Sequence, residues 1–351
     1  MEQAEIIRLL KCTGEEESRL FADAAGLRNS RIGNAVHLRG LIEISNICRK
    51  DCLYCGIRKS NLRVHRYTLT ENEILNAALF ADEHRYGSIV LQGGERTDPV
   101  FIRQIGKLLT EIKKRSQNRL GITLSLGEQN EDTYRYWFEC GAHRYLLRIE
   151  TSDPAFYKKI HPRDGLHSFS TRRTCIEALK RCGYQTGSGV MIGLPFQTTE
   201  MLARDLLFLK SLDIDMVGMG PYLEHPDTPL YAERTKLLSL PERFRLGLHM
   251  VACLRLLMPD INIAATTALQ AIDPLGREKA LSAGANVIMP NITPAIQRKN
   301  YTLYQGKPFS EEGATEVMQK LTESISRYGC HVAFQEWGDS KHWQDKQTSS
   351  D

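Results

Sequence analysis

Leu41-Ile42-Glu43-Ile44-Ser45 runs directly into Asn46-Ile47-Cys48-Arg49-Lys50-Asp51-Cys52-Leu53-Tyr54-Cys55-Gly56-Ile57-Arg58, and the chain is organised around this stretch. The first five residues read as a strand. The loop after it holds three cysteines spaced C-x3-C-x2-C. Three thiolates this close can hold three corners of an iron–sulfur cube, whereas ferredoxin-type runs supply four cysteines at other spacings. No further cysteine follows until Cys140, so the fourth iron would lack a protein ligand and stand open to a small chelating molecule. A structural zinc site is the competing reading. Zinc takes four closed N/S ligands, usually in two pairs, and only His65 is near, with no second pair. The spacing favours the cluster over zinc and over three unrelated buried cysteines.

Outward from this loop the chain repeats strand and helix. After the strand at 41–45, further strands read at 88–92, 121–125, 144–151, 186–192, 215–222, 261–268 and 286–290. Thr70 with Glu73 forms a capping box that opens the first long helix. Asp98-Pro99 starts the next, with Asp as N-cap and Pro in the first turn; Phe101, Ile105, Leu108 and Ile112 make its apolar stripe. A last helix at 310–327 buries Val317, Leu321 and Ile325. Repeated βα units imply parallel strands with right-handed crossovers. Eight close an α/β fold of the TIM type, a (β/α)8 barrel, and six would leave an open partial barrel; the count favours eight. Residues 1–35 read as an N-terminal helical extension capping the barrel, 36–307 as the barrel core, and 308–351 as a C-terminal helix and tail packing on it.

The 351 residues are 42% hydrophobic and 25% charged, an ordinary globular balance. With 46 basic against 42 acidic residues the net charge is +4, too slight to argue for nucleic acid or a membrane surface. Lys113-Lys114-Arg115 is a solvated helix face. The acidic start carries no apolar leader core, and no run approaches the ~18 apolar residues of a membrane span. Nine scattered cysteines do not look like a disulfide framework, so a reducing cytoplasm is expected.

Active sites of such barrels lie at the C-terminal ends of the strands. Those ends hold the three cysteines; Gln92 followed by Gly93, Gly94 and Glu95; Ser125 and Glu128; Ser188, Met191 and Gly193; Met219; and Thr266 with Thr267. Adjacent glycines admit a ligand close to the backbone or simply make a tight turn. On the fourth strand Arg148 and Glu150 share a face; burying them is costly unless they are paired or liganded, and a structural ion pair is the alternative. The two threonines could bind a carboxylate or could be routine packing. His225, in a proline-rich loop, is either an acid–base group or a turn-stabilising side chain. Tyr301 and Tyr304 follow the eighth strand and could close the top.

The C-x3-C-x2-C loop is the signature spacing of the radical S-adenosylmethionine (SAM) superfamily. Within it, the loop with Arg49, Gly56 and Arg58, together with Ser125-Leu126-Gly127-Glu128, Asp215-Met216-Val217-Gly218, His225-Pro226-Asp227-Thr228-Pro229-Leu230, Ala265-Thr266-Thr267-Ala268 and Gly284 to Asn291, resembles the HydE family of FeFe-hydrogenase maturases. The resemblance runs from about Val36 to Lys307. It implies that Cys48, Cys52 and Cys55 ligate a 4Fe-4S cluster whose open iron is chelated by SAM. It implies that Gly93, Gly94 and Glu95 receive the SAM amino group, that Glu150 and Arg172 help to hold SAM, and that Tyr54 lies near the adenine; Ser125 and Glu128 join this cofactor-binding set. Reductive cleavage would give a 5′-deoxyadenosyl radical, chemistry that belongs to the cofactor. The substrate, an iron–cysteine complex carrying CO and cyanide, would sit near Arg148, Met219, Thr266, Thr267 and Tyr301. The implied partners are a tyrosine-cleaving radical SAM maturase, a GTPase scaffold and an external electron donor. Cys330 alone follows Pro290, so a second C-terminal cluster is not expected.

Other readings share the loop. Biotin synthase needs an auxiliary cluster inside the barrel, and the second, third and fifth strands end without cysteine. A methylornithine synthase-like mutase or a HydE-like paralogue with another small anionic substrate stays open. From a different class, a zinc-stabilised scaffold without catalysis would also carry the cysteines.

Overall fold

The computed structural model describes residues 1–308 and 314–348. Two helices, α1 (Gln3–Lys11) and α2 (Glu15–Ile32), precede the first strand. The strands are β1 (Ala35–Ser45), β2 (Ser88–Gly93), β3 (Gly121–Ser125), β4 (Arg144–Leu146), β5 (Gln185–Ser188), β6 (Met191–Ile192), β7 (Met216–Val217), β8 (Gly220–Pro221), β9 (Asn262–Ala265), β10 (Val287–Ile288) and β11 (His331–Val332). All pair in parallel in the order β1-β2-β3-β4-β5-β7-β9-β10. Pairing of β10 back onto β1, His37 with Val287 and Leu38 with Ile288, closes an eight-stranded barrel. β6 and β8 continue β5 and β7 and pair only with each other. Gly189 allows that break: a Cβ there would sit 2.0 Å from Gly218 O, so the fifth and sixth chain passes touch backbone to backbone.

The helices between strands are amphipathic and capped as their sequences dictate. In α3 (Glu71–Glu83) Thr70 and Glu73 form both halves of a capping box, and in α4 (Pro99–Arg115) Asp98 accepts from Phe101 N. The expected stripe of α4, Phe101, Ile105, Leu108 and Ile112, is buried. There follow α5 (Glu131–Glu139), α6 (Pro154–Ile160), α7 (Phe169–Arg181), α8 (Thr199–Ser211), a 3-10 segment (Pro229–Lys236) and α9 (Leu240–Leu257). The helical cap of α1 and α2 packs on α8 and α9. The seventh unit departs from the reading at 261–268: β9 stops at Ala265, Thr266 is already the N-cap of α10 (Thr267–Ile272), and α11 (Gly276–Ser282) completes the crossover. After the short α12 (Ala295–Arg298), α13 (Ala314–Arg327) buries Leu321 and Ile325, and α14 (Lys341–Thr348) ends the described chain. The expected start of α13 at residue 310 and the side chain of Val317 lie outside the described residues. Among the described residues no helix is long and apolar enough to cross a membrane.

β1 begins six residues before the expected strand. His37 and Arg39 interrupt the apolar pattern there, and the C-terminal segment explains why they are tolerated. β11 pairs with the start of β1, and residues 335–340 then enter the N-terminal end of the barrel. Gly338 O accepts from Arg39 Nη2 (3.1 Å) and Asn262 Nδ2 (2.8 Å). Gly338 lies at φ +66° with a Cβ position 2.4 Å from the His37 ring, so only glycine fits. Asp339 Oδ1 takes Arg144 Nη1 (2.7 Å), Gln185 Nε2 (2.7 Å) and His143 Nε2 (3.2 Å). Burial alone would raise this carboxyl, but the bonds from His143 and the Arg144 charge hold it well below the usual carboxylate range.

Asp339→Asn is therefore expected to leave the fully buried Arg144 uncompensated, at a cost of about 3–5 kcal/mol, read as a lower urea midpoint at pH 7. A depressed carboxylate stabilises above its unfolded pKa and loses that contribution as pH falls through the folded one. The gap between wild type and variant should thus narrow below about pH 4; a constant gap down to pH 2.5 would contradict the assignment.

Candidate active site

The barrel opens at the C-terminal ends of its strands into a cavity of about 330 Å³. Cys48, Cys52 and Cys55 line one side, half-buried. The loop is fastened from several directions. Glu95 N donates to Cys48 Sγ (3.3 Å), Arg49 N to Glu95 O (2.9 Å), Leu53 N to Ile160 O (3.1 Å) and Gly56 N to Leu303 O (2.9 Å). Two glycines are required by contact. A Cβ on Gly94 would meet Ile47 O at 2.3 Å and Cys48 Cβ at 2.8 Å; one on Gly56 would meet Thr302 O at 2.0 Å. The Gly93-Gly94 pair is thus where β2 packs against the cysteine loop itself.

A charged wall stands beside the cysteines. Lys50, 3% exposed, pairs with Glu128 Oε2 (2.7 Å) and Glu95 Oε1 (3.5 Å). Arg172 Nε lies 2.6 Å from Glu128 Oε1, and Arg148 Nη2 lies 2.9 Å from Glu150 Oε2. Glu95 Oε1, Glu150 Oε2 and Arg148 Nε nonetheless make no aligned hydrogen bond, although each belongs to a cavity-lining residue. Burial raises the carboxyls of Glu95 and Glu150 above their ordinary value. Glu150 is also held at φ +67°, a left-handed conformation costing about 1–3 kcal/mol in a non-glycine residue. Its N donates to Gly189 O (3.0 Å) and its O accepts from Met191 N (3.1 Å), which locks it there.

The predicted residues fall as follows. Tyr54, Gly93, Gly94, Glu95, Ser125, Arg148, Glu150, Arg172, Thr266, Thr267 and Tyr301 line the one cavity with the three cysteines. Glu128 stands just behind it, fixing Lys50 and Arg172. Thr266 Oγ1 is buried without a partner, and Gly220 keeps the space around it open. Tyr54 Oη is 3.1 Å from His161 Nε2, whose ring packs edge-on to it. Met219 requires correction. It is fully buried in the core outside the cavity, because its neighbours Gly218 and Gly220 turn toward the cavity and the alternation points Met219 away. His225 is the turn-stabilising alternative: its Nδ1 accepts from Asp227 N (3.1 Å) and its O from Thr228 Oγ1 (2.7 Å). His65, the fourth ligand that zinc would need, is exposed and off the cavity.

Three lining residues, Lys50, Glu43 and Lys307, escaped the sequence reading. Lys50 sits among the cysteines but shows no pattern of its own. Glu43 was legible, as a lone charge in an apolar strand; buried, it pairs with Lys307 and accepts from Asn291 Nδ2 (3.0 Å). Lys307 comes from the segment that also carries Tyr301 and Tyr304 across the mouth, and its neighbour in space is 264 residues away. Gln92 donates to Tyr301 Oη (3.3 Å).

The donor set fits an iron–sulfur cluster with an amino-acid ligand. Burial pushes the Cys52 thiol up to about 12 and raises Cys48 and Cys55, so three neighbouring thiolates need positive metal centres beside them; a bound cation deprotonates a coordinating thiol outright. The unaligned atoms of Glu95, Glu150 and Arg148 offer acceptors to an ammonium and donors to a carboxylate.

A model of the radical SAM superfamily matches residues 42–209. The [FeFe] hydrogenase maturase subunit HydE of Thermotoga maritima is 45% identical over 323 residues, covering 92% of this chain and 88% of that protein. The 3-methylornithine synthase of Methanosarcina acetivorans is 32% identical over 285 residues, covering 80% and 76%. The crystal structure of methylornithine synthase has a TM-score of 0.76 at 24% identity, covering 95% of this chain and 94% of that one. The maturase HydG of Carboxydothermus hydrogenoformans has a TM-score of 0.79 at 18% identity, covering 95% and 76%. These two structures establish the shared fold. The likeness to HydE, sustained over more than nine-tenths of the sequence, places this chain in the HydE family of radical SAM enzymes.

Proposed function

We propose that this chain binds a 4Fe-4S cluster through Cys48, Cys52 and Cys55, binds SAM against the adjoining charged wall, and acts in FeFe-hydrogenase maturation on a small anionic cysteine–iron species carrying CO and cyanide. The observation that carries the reading is the single cavity in which the cysteine triad faces Glu95, Glu150, Arg148 and Arg172. Bound together, cluster and SAM supply a reductively generated 5′-deoxyadenosyl radical. The chain's own residues do the rest. Glu95 and Glu150 accept from the SAM ammonium, and Arg172, steadied by Glu128, balances its carboxylate. Tyr54, fixed by His161, borders the adenine. Arg148, Thr266, Thr267 and Tyr301 bound the substrate end, where a cation and unpartnered hydroxyl suit an anionic amino-acid-like ligand. A purely apolar substrate would leave them unsatisfied, at about 1–3 kcal/mol each. Upstream we place a tyrosine-cleaving radical SAM maturase that supplies the substrate, and downstream a GTPase scaffold. Similarity to methylornithine synthase keeps one rival, a mutase acting on a lysine-derived substrate.

Anaerobically reconstituted protein should bind about four irons. Alanine at Cys48, Cys52 or Cys55 should abolish this, and alanine at Cys140, Cys175 or Cys330 should not; zinc binding with full stability and no iron would refute the cluster. Gly94→Ala should lower iron content with the far-ultraviolet circular dichroism unchanged, because its Cβ has room only if Ile47 and Cys48 move. Arg148→Met should keep the cluster and SAM binding yet fail to mature an apo-hydrogenase with partner maturases present. If the wild-type protein instead converts lysine to methylornithine and never supports maturation, the rival reading holds.

A further inference from the structure

We propose that the outer face of the cysteine loop is the docking surface for an acidic electron-carrier protein. The inference rests on the radical SAM reading, in which cleavage of each SAM consumes one electron delivered from outside the chain. The step moves one electron from the carrier's reduced flavin or iron–sulfur centre to the oxidised cluster, with no bond made and no proton moved. Electron transfer weakens steeply with distance, so the carrier must sit where the cysteine loop comes nearest to solvent.

Two approaches are obstructed. Residues 335–340 fill the N-terminal end of the barrel, where Asp339 and Gly338 bind Arg144 and Arg39. The cavity mouth is crossed by the segment around Leu303 and Gln305, which bonds to Gly56 on one side and to Glu224 on the other. The loop's outer side offers another approach. There Leu53 N donates to Ile160 O at the end of α6, Leu53 O accepts from Leu230 N, and Asp51 N donates to His167 Nε2 (3.1 Å).

The charges on this side divide into paired and unpaired. Arg58 is matched by Asp51, Arg63 by Asp227 and Lys236 by Glu233, each within 2.7 Å. Lys59, Lys158, Lys159 and Arg163 are exposed, and among the described residues no carboxylate pairs with them. All four adjoin groups bonded to the loop: Lys59 N donates to Lys50 O, α6 carries Lys158 and Lys159 up to Ile160, and Arg163 lies between His161 and His167. Asp164 stands nearby, occupied by the ring and backbone of His167. These four cations are gathered beside one loop. Among them Phe196 is 48% and Leu166 37% exposed, with Lys236 and Lys159 over the Phe196 ring at 4.5 and 6.0 Å. A small apolar centre within a cationic rim suits a weak, electrostatically steered encounter with an acidic partner.

The test compares two reductants on the reconstituted holoenzyme: reduced flavodoxin, an acidic carrier, and dithionite, a small molecule that needs no docking surface. The variant is Lys158→Glu with Lys159→Glu and Arg163→Glu; the control carries Arg103→Glu, Lys107→Glu and Lys114→Glu on α4, the same change in net charge elsewhere. With flavodoxin at low salt, SAM cleavage by the variant should fall about tenfold or more and lose its ionic-strength dependence, while the control stays within about twofold. With dithionite all three proteins should cleave SAM alike. Equal flavodoxin-driven rates in variant and wild type, or an equal loss in the control, would overturn the docking surface and leave the functional reading standing. No cleavage by wild type with dithionite would overturn both.

Discussion

The ammonium of Lys50, enclosed between Glu128 and Glu95, is the contact on which the mouth of this barrel depends. It belongs to the cysteine loop, and its partners belong to the chain following β2 and β3. Glu128 passes the connection on to Arg172 of α7, and Glu95 fixes the loop backbone at Arg49 and accepts from Glu128 N (2.8 Å). Four separate passes of the chain are thereby held at one place. Removing one member of such a group leaves an uncompensated buried charge, commonly worth 3–5 kcal/mol. The network also explains how charged side chains stay beside a cavity: each is held by an oppositely charged partner.

The barrel's two ends are built differently. At the C-terminal end, polar groups are left short of partners, and Glu150 is held in a conformation it would not choose. Such strain persists only where the surroundings over-determine it, and here the Gly189–Gly218 contact and the β6–β8 pair supply the constraint. At the N-terminal end, the C-terminal segment supplies partners to buried cations, Asp339 to Arg144 and Gly338 O to Arg39. Arg39 and Arg144 could not otherwise be buried inside a barrel, since desolvation alone pulls both well below the usual guanidinium range. Chemistry at the top and stability at the bottom follow the general division of labour in this architecture.

Much of this was legible from residues alone. The cysteine spacing, the glycines after the second strand, and the repeat of apolar runs with capped helices are local signals, each set by the geometry of a few consecutive residues. So were the capping boxes and the stripe of α4, because helix periodicity and capping act within one turn. Arg148 and Glu150 came together from strand alternation, although the regular strand ends at Leu146. Met219 failed for a related reason: alternation predicts which residues share a face, and the flanking glycines decide which face is inward.

What only the folded chain decided are the contacts between residues far apart in sequence. Lys307 on Glu43, Asp339 on Arg144 and Leu303 on Gly56 pair positions for which no local pattern marks the partner. The strand reading began only at Leu41, whereas β1 begins at Ala35 and buries Arg39; the last residues of the chain make that burial tolerable by supplying Asp339 and the Gly338 carbonyl. Sequence by itself determined which groups could hold a cluster and which segments alternate as strand and helix. Closure of β10 onto β1 decided which of those groups face one another, since packing and charge compensation are set by distance in space, and sequence periodicity records only distance along the chain.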